Sequence, residues 1–185
     1  MLVGSTPVEC ARSVETTRRS QLADAADYGY CVSHSRYFWG FRLHGLFALD
    51  GTPRALLLTS PNVPERDVCL TLLERCPRTG HLYVLGDKGY AGREFECAAA
   101  KLDATIIRPR RKDEPGKRPH LAPIRQRIES IFQTCKDLLT LERHGARTLH
   151  GLSTRIRTRF LALAAAISLN HRLGRPARAL ADYTA

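Results

Sequence analysis

Hydrophobic positions along the chain change period several times, and each change predicts an element. Residues 37–50 (YFWGFRLHGLFALD) are aromatic and apolar in imperfect alternation, Asp50-Gly51-Thr52-Pro53 supplies a turn, and residues 54–59 return. That pattern predicts a β-hairpin. From Val63-Pro64-Glu65-Arg66-Asp67 the period becomes helical, with Val68, Leu72 and Leu73 on one side, which predicts a helix from near Pro64 to Cys76. His81-Leu82-Tyr83-Val84-Leu85 is a short apolar run stopped by Gly86-Asp87-Lys88-Gly89, and a helix is expected over 93–102. A strand follows at 104–108, then helical segments at about 121–140 and 150–173.

Strands interleaved with helices indicate an α/β sheet. The last helix carries Leu152, Ile156, Phe160, Leu163 and Ile167 at steps of three and four, with Arg155, Arg157 and Arg159 mostly off that stripe. It should bury one face and show arginine on the other. Residues 1–173 make one domain of this 185-residue chain, and 174–185 are expected to be a flexible tail. The longest uncharged apolar stretch, Phe160 to Leu169, is too short to cross a bilayer, and no secretory signal is visible. The expectation is a cytoplasmic protein without a membrane partner. The six cysteines form no C-x-x-C pair and the histidines no H-x3-H pattern, so free thiols and no zinc are expected.

Charge changes the picture. The net charge is +11, yet residues 1–100 hold 11 basic and 11 acidic residues while 101–185 hold 18 basic and 7 acidic. The excess in the second half is the footprint of a polyanion partner, and nucleic acid is the economical one. Its densest run, from Arg108 to Pro119, includes Arg110, Arg111 and Lys112, and its prolines and glycine make it a loop. Such a loop follows a phosphate backbone or is simply a solvated surface, and the run alone does not choose.

Two carboxylates stand where chemistry is plausible. Asp87 lies at the end of an apolar strand, and ligands of open α/β sheets bind at the carboxyl ends of strands. The competing reading is a turn aspartate bonding its own backbone. On the helix near 121–140, Arg125, Glu129, Phe132 and Lys136 fall within one narrow sector, beside the apolar stripe Ile124, Ile128, Ile131, Cys135 and Leu138. Here the competing reading is an ordinary surface ion pair between Arg125 and Glu129. A strand-end Asp and a helical Glu in a basic α/β domain suit two-metal phosphoryl transfer with Mg²⁺ or Mn²⁺, for which a third carboxylate is expected.

These residues carry a family resemblance. Arg125-x3-Glu129-x6-Lys136 resembles the R-x3-E-x6-K element of DDE transposases of bacterial insertion sequences, with Ala122 where a tyrosine often stands. Val84-Leu85-Gly86-Asp87-Lys88-Gly89-Tyr90 resembles the context of that family's second catalytic Asp, and residues 37–44 resemble its Y-G-x-K-L-H strand, with Arg42 for lysine. The resemblance covers nearly the whole chain and implies an RNase H-like mixed sheet flanked by helices, with C-terminal helices. It implies Asp87 and Glu129 as catalytic metal ligands, Arg125 and Lys136 on DNA phosphates, and action as a homodimer on element ends and target DNA at the nucleoid.

Two departures accompany it. Where the family has its first catalytic Asp in a D-S-x-P context, the chain reads Val3-Gly4-Ser5-Thr6-Pro7, so Gly4 takes the place of the carboxylate and Glu9 is the nearest substitute to consider. The family's N-terminal helical DNA-binding region is expected to be absent, as if the chain came from the 3′ part of an element's gene. The resemblance therefore implies an impaired transposase catalytic domain. The alternative is a non-catalytic DNA-binding or dimerising remnant; a basic RNA-binding protein stacking bases on Tyr37, Phe38 and Trp39 is a remoter one.

Overall fold

A computed structural model of the chain describes residues 1–31, 35–77, 80–110 and 121–183, apart from the side chains of residues 122–125 and 182. The predicted hairpin is present as β3 (Arg36–Phe47) and β4 (Pro53–Thr59). Its turn is closed by Ala48 N donating to Thr52 O at 2.8 Å and Thr52 N donating to Asp50 Oδ1 at 2.9 Å. Helix α2 (Glu65–Arg75) begins directly after Pro64. Strand β5 (Leu82–Leu85), helix α3 (Arg93–Lys101) and strand β6 (Ala104–Ile107) follow in the expected order. Helices α4 (Ala122–Asp137) and α5 (Leu149–Arg172) close the fold.

Three elements precede the hairpin. Strand β1 (Leu2–Ala11) holds Gly4 and the residues compared above with the family's D-S-x-P context. Helix α1 (Val14–Arg19) and strand β2 (Asp27–Cys31) left no readable period. Six residues are too few to display a 3.6-residue stripe, and α1 is held instead by Ser13, whose Oγ accepts from Thr16 N at 3.1 Å. β2 is a sheet edge with Tyr28 and Tyr30 exposed, so it needs no apolar run.

The sheet runs β2-β3-β1-β5-β6, with β4 also paired to β3. β1 pairs antiparallel with β3 from Leu2↔Phe47 to Ala11↔Trp39, whereas β5 joins β1 and β6 in parallel. An antiparallel half fused to a parallel half, with helices on both faces, is the RNase H-like mixed sheet. Side-chain alternation splits the core accordingly. Val3, Leu46 and Val84 pack with Cys69, Leu73, Phe95 and Ala99 of α2 and α3 on one face. Leu2, Val8, Phe41, Leu43 and Phe47 pack with Ile131, Phe132, Cys135 and Phe160 of α4 and α5 on the other.

The expected stripe of α5 is buried along its whole length. The arginines beside it are not all turned to solvent, because Arg159 Nε donates to Leu139 O at 2.7 Å and Arg155 Nη1 donates to His144 O. Residues 174–183, read from sequence as most of a flexible tail, turn back onto α5. Leu180 is buried, Asn170 Nδ2 donates to Ala177 O and Ala179 O, and the Tyr183 hydroxyl donates to Asn170 Oδ1 at 2.7 Å. A fully buried asparagine supplies what the hydrophobic pattern could not, namely partners for the returning backbone.

Phe47 meets Phe132 of α4 edge-on at 5.5 Å and Phe160 of α5 at 6.0 Å between ring centroids. Phe47→Ala is expected to lower unfolding stability by about 3–5 kcal/mol, read from the urea midpoint, because ring and neighbours cannot collapse around the space left.

Candidate active site

β5 ends at Leu85 while β1, paired with it at Leu2, continues to Ala11. The step exposes one side of β1, and a cavity of about 560 Å³ opens there. Gly86 permits the close turn: a Cβ at this position would stand 2.6 Å from the Tyr90 ring and 3.1 Å from Val3. Asp87 follows at once and lines the cavity. Its Oδ1 also accepts from Gly89 N at 2.6 Å, capping the short 3₁₀ turn Lys88–Tyr90. The turn reading of this residue is therefore present in the structure, and the same residue lies on the cavity.

Helix α4 crosses the same opening and brings Glu129 to it, with Ile128 beside it. The helix is anchored one turn further on by buried Ile131, Phe132 and Cys135. Asp87 and Glu129 thus line one cavity, together with Gly4. The place a side chain of residue 4 would take is met by α4 itself: a Cβ there would lie 2.8 Å from Ile128 Cδ1 and 3.0 Å from its Cγ1.

Lys136 and Arg110 are not among the residues that line this cavity. Lys136 reaches Glu142 at 3.0 Å with its side chain only 14% exposed, so its charge is already matched by a carboxylate. Arg110 lies just past β6, half-buried. Arg111 and Lys112 fall outside the described residues, as does the side chain of Arg125. Glu9 does not line the cavity; it pairs with Arg36 at 3.2 Å and Arg12 at 3.5 Å. Of the three aromatics considered for stacking, Phe38 and Trp39 are buried and Tyr37 is exposed.

The cavity has a wall that the motifs did not reveal. Glu65, in the first turn of α2, accepts at Oε1 from Ser5 Oγ at 2.7 Å and from Arg42 Nη1 at 2.6 Å. Ser5, Arg42, Glu65 and Tyr90 all line the opening. The signal was available in part: Pro64-Glu65 starts a helix, and Arg42 sits in the aromatic strand that the family resemblance picked out. No spacing rule joins residues 5, 42, 65 and 90, which only the sheet register assembles. Tyr90 is 1% exposed, and its hydroxyl has no hydrogen-bond partner among the described residues. Burial raises its pKa well above the usual value, the charges of Glu65, Cys69 and Asp87 add to that, and Arg42 opposes it. The hydroxyl therefore keeps its proton at any working pH.

Next to this wall, His44 is buried, with Nε2 3.1 Å from Thr59 Oγ1. Burial, helped by Arg42 and resisted by Glu65, pulls its pKa down from 6.5 to about 4. Burial pushes Cys10, Cys69 and Cys135 up to about 12, so none of those three offers a ready thiolate.

Among the described residues no three His, Cys, Asp or Glu side chains are grouped closely enough to hold a metal ion. Asp87 and Glu129, both on this cavity, are the carboxylates that could hold a divalent cation. No helix among the described residues is long and apolar enough to cross a membrane.

A family model described as a transposase DDE domain matches residues 3–165 of the chain. No curated protein matches it.

The buried histidine sets a pH dependence. The unfolded chain takes up a proton near pH 6.5 that folded His44 refuses until about pH 4. Its stabilising contribution is therefore complete above pH 6.5 and is lost as pH falls toward 4, by roughly 3 kcal/mol. His144, also lowered by burial, acts with the same sign. Urea unfolding at pH 7.5, 6 and 4.5 should show the decline, with a shallower slope in His44→Asn.

Proposed function

The chain belongs to the DDE transposase family, and from that premise we propose that residues 1–173 form a catalytic domain for metal-dependent cleavage and transfer of DNA strands, impaired at Gly4. The observation that carries the reading is the meeting of Asp87, from the end of β5, with Glu129, from α4, on one cavity. Their roles are those of metal ligands. A divalent cation bound there supplies charge stabilisation at the reacting phosphate and activation of the attacking oxygen. The protein's own part is to present two carboxylate oxygens from rigid elements and to hold the DNA backbone around them.

Arg125, one turn before Glu129, and the basic run with Arg110, Arg111 and Lys112 serve as phosphate contacts. Arginine grips phosphate bidentately, while lysine acts as a point charge. Lys136 joins them by exchanging Glu142 for a phosphate. The partners in this reading are insertion-sequence ends and target DNA, met at the nucleoid in the cytoplasm by a homodimer that pairs two ends.

A second reading has its own support. With Gly4 at the position of the family's first Asp and Ile128 packed over it, the chain acts as a DNA-binding or dimerising remnant that occupies DNA without cutting it.

Fluorescence anisotropy on a DNA duplex and Mn²⁺ titration of the whole chain decide between them. Under the first reading, DNA affinity falls by more than tenfold between 50 and 200 mM salt, Asp87→Ala abolishes Mn²⁺ binding while leaving DNA binding in place, and Gly4→Asp raises strand cleavage. DNA binding with no Mn²⁺ binding selects the remnant. Absence of DNA binding at low salt defeats both.

A further inference from the structure

The segment joining α4 to α5, residues 138–148, is tied to the fold by its backbone. Arg159 Nε donates to Leu139 O at 2.7 Å and its Nη2 to Thr140 Oγ1 at 3.2 Å, while Arg155 Nη1 donates to His144 O. His144 is buried, with Nε2 3.1 Å from Glu9 O of β1 and Nδ1 accepting from Ala146 N at 3.1 Å. Acceptance at Nδ1 makes Nε2 the protonated nitrogen, so one neutral imidazole closes both bonds. Burial lowers the pKa of this histidine and keeps it neutral. Thr148 then caps α5 by accepting at Oγ1 from Gly151 N at 3.1 Å.

Two arginines stand on this frame. Arg143 and Arg147 are exposed, and neither makes an ion pair among the described residues. Arg147 lines a cavity of about 660 Å³ whose other wall is the end of α1, with Arg19, Ser20 and Gln21. Ser20 Oγ accepts from Leu22 N at 3.1 Å, which leaves its own hydrogen for a ligand. The nearby carboxylates are already matched: Glu15 meets Arg19 at 3.0 Å, and Glu142, next to Arg143, meets Lys136 at 3.0 Å. Arg18, exposed on α1, is a third cation without an ion pair among the described residues. Arg18 and Arg19 belong to the half of the chain whose charges balance, so counting charge along the sequence passes over them.

We infer that the end of α1 and the segment 138–148 form a second contact for the phosphate backbone of duplex DNA, apart from the cavity of Asp87 and Glu129. This rests on the DNA-binding part of the reading above and needs no metal. Arginine takes phosphate oxygens in pairs, and neutral donors such as Ser20 and Gln21 help to fix a duplex in register. The tied backbone leaves only side chains to be ordered on binding, which keeps that cost low. Cys10 is the β1 residue on this cavity, and Gly4, six positions earlier on β1, lies on the other. Six strand residues span about 20 Å. Along duplex DNA that distance is about six base pairs, less than one helical turn, so one duplex reaches both places.

The test is the salt dependence of binding by the full chain to a duplex of about 20 base pairs, read by fluorescence anisotropy between 50 and 200 mM salt. Arg143→Gln with Arg147→Gln should lower the slope of log affinity against log salt by about two, and Arg19→Gln by about one, alike on unrelated sequences. These side chains are exposed, and an unaltered far-UV circular dichroism spectrum checks that the variants fold. Arg75→Gln with Lys101→Gln, exposed on α2 and α3, removes the same net charge away from the patch and should bind like the natural chain. If the Arg143 and Arg147 double variant keeps the natural slope, the second contact is refuted while the DNA-binding reading stands. If the Arg75 and Lys101 variant loses as much slope, net charge explains the effect and the second contact is again refuted. If the natural chain binds no duplex at low salt, the DNA-binding reading falls and this inference falls with it.

Discussion

The contact of Phe47 with Phe132 and Phe160 is where the sheet receives its two long helices. Phe47 ends β3 directly opposite Leu2, the first residue of β1, so the ring sits under the point from which the cavity's strand departs. Phe132 stands one turn beyond Glu129 on α4. A helix is stiff over that distance, and fixing Phe132 in the core fixes where Glu129 emerges. The separation between the two candidate carboxylates is set by an apolar contact that touches neither of them.

Much of this was legible in the sequence, for reasons that differ by element. The α5 stripe and the β3–β4 hairpin were readable because each buries one regular face, so period and burial coincide. Asp87 was readable because a strand end followed by glycine is a local signal, and Glu129 because Arg125 and Lys136 bracket it on one helix. Strand β2 and helix α1 were not, since an edge strand with exposed tyrosines and a six-residue helix carry no period. Glu65 was read only as a helix start. Its partners Ser5 and Arg42 are 60 and 23 residues away, and the register that aligns them is a property of the folded sheet.

Electrostatically the chain divides its labour. The excess positive charge lies in the second half, beyond β5, while the cavity is lined by Asp87, Glu129 and Glu65 with Arg42 as the cation facing Glu65. A basic surround raises the local concentration of a polyanion, and an acidic centre repels it unless something positive intervenes. Such an arrangement is stable without substrate only where the carboxylates are spaced or compensated. Here Glu65 is compensated by Arg42, and Asp87 spends one oxygen on the backbone of Gly89.

The methyl end of Ile128 over Gly4 has a consequence for the floor of the cavity. A carboxylate at residue 4 would crowd further negative charge beside Asp87 and Glu129 and would have to be desolvated against that aliphatic side chain. With hydrogen there, Ile128 closes the floor of the cavity by an apolar contact and no charge is desolvated against it. The same contact makes the floor rigid, because a side chain at residue 4 and the present position of Ile128 exclude one another.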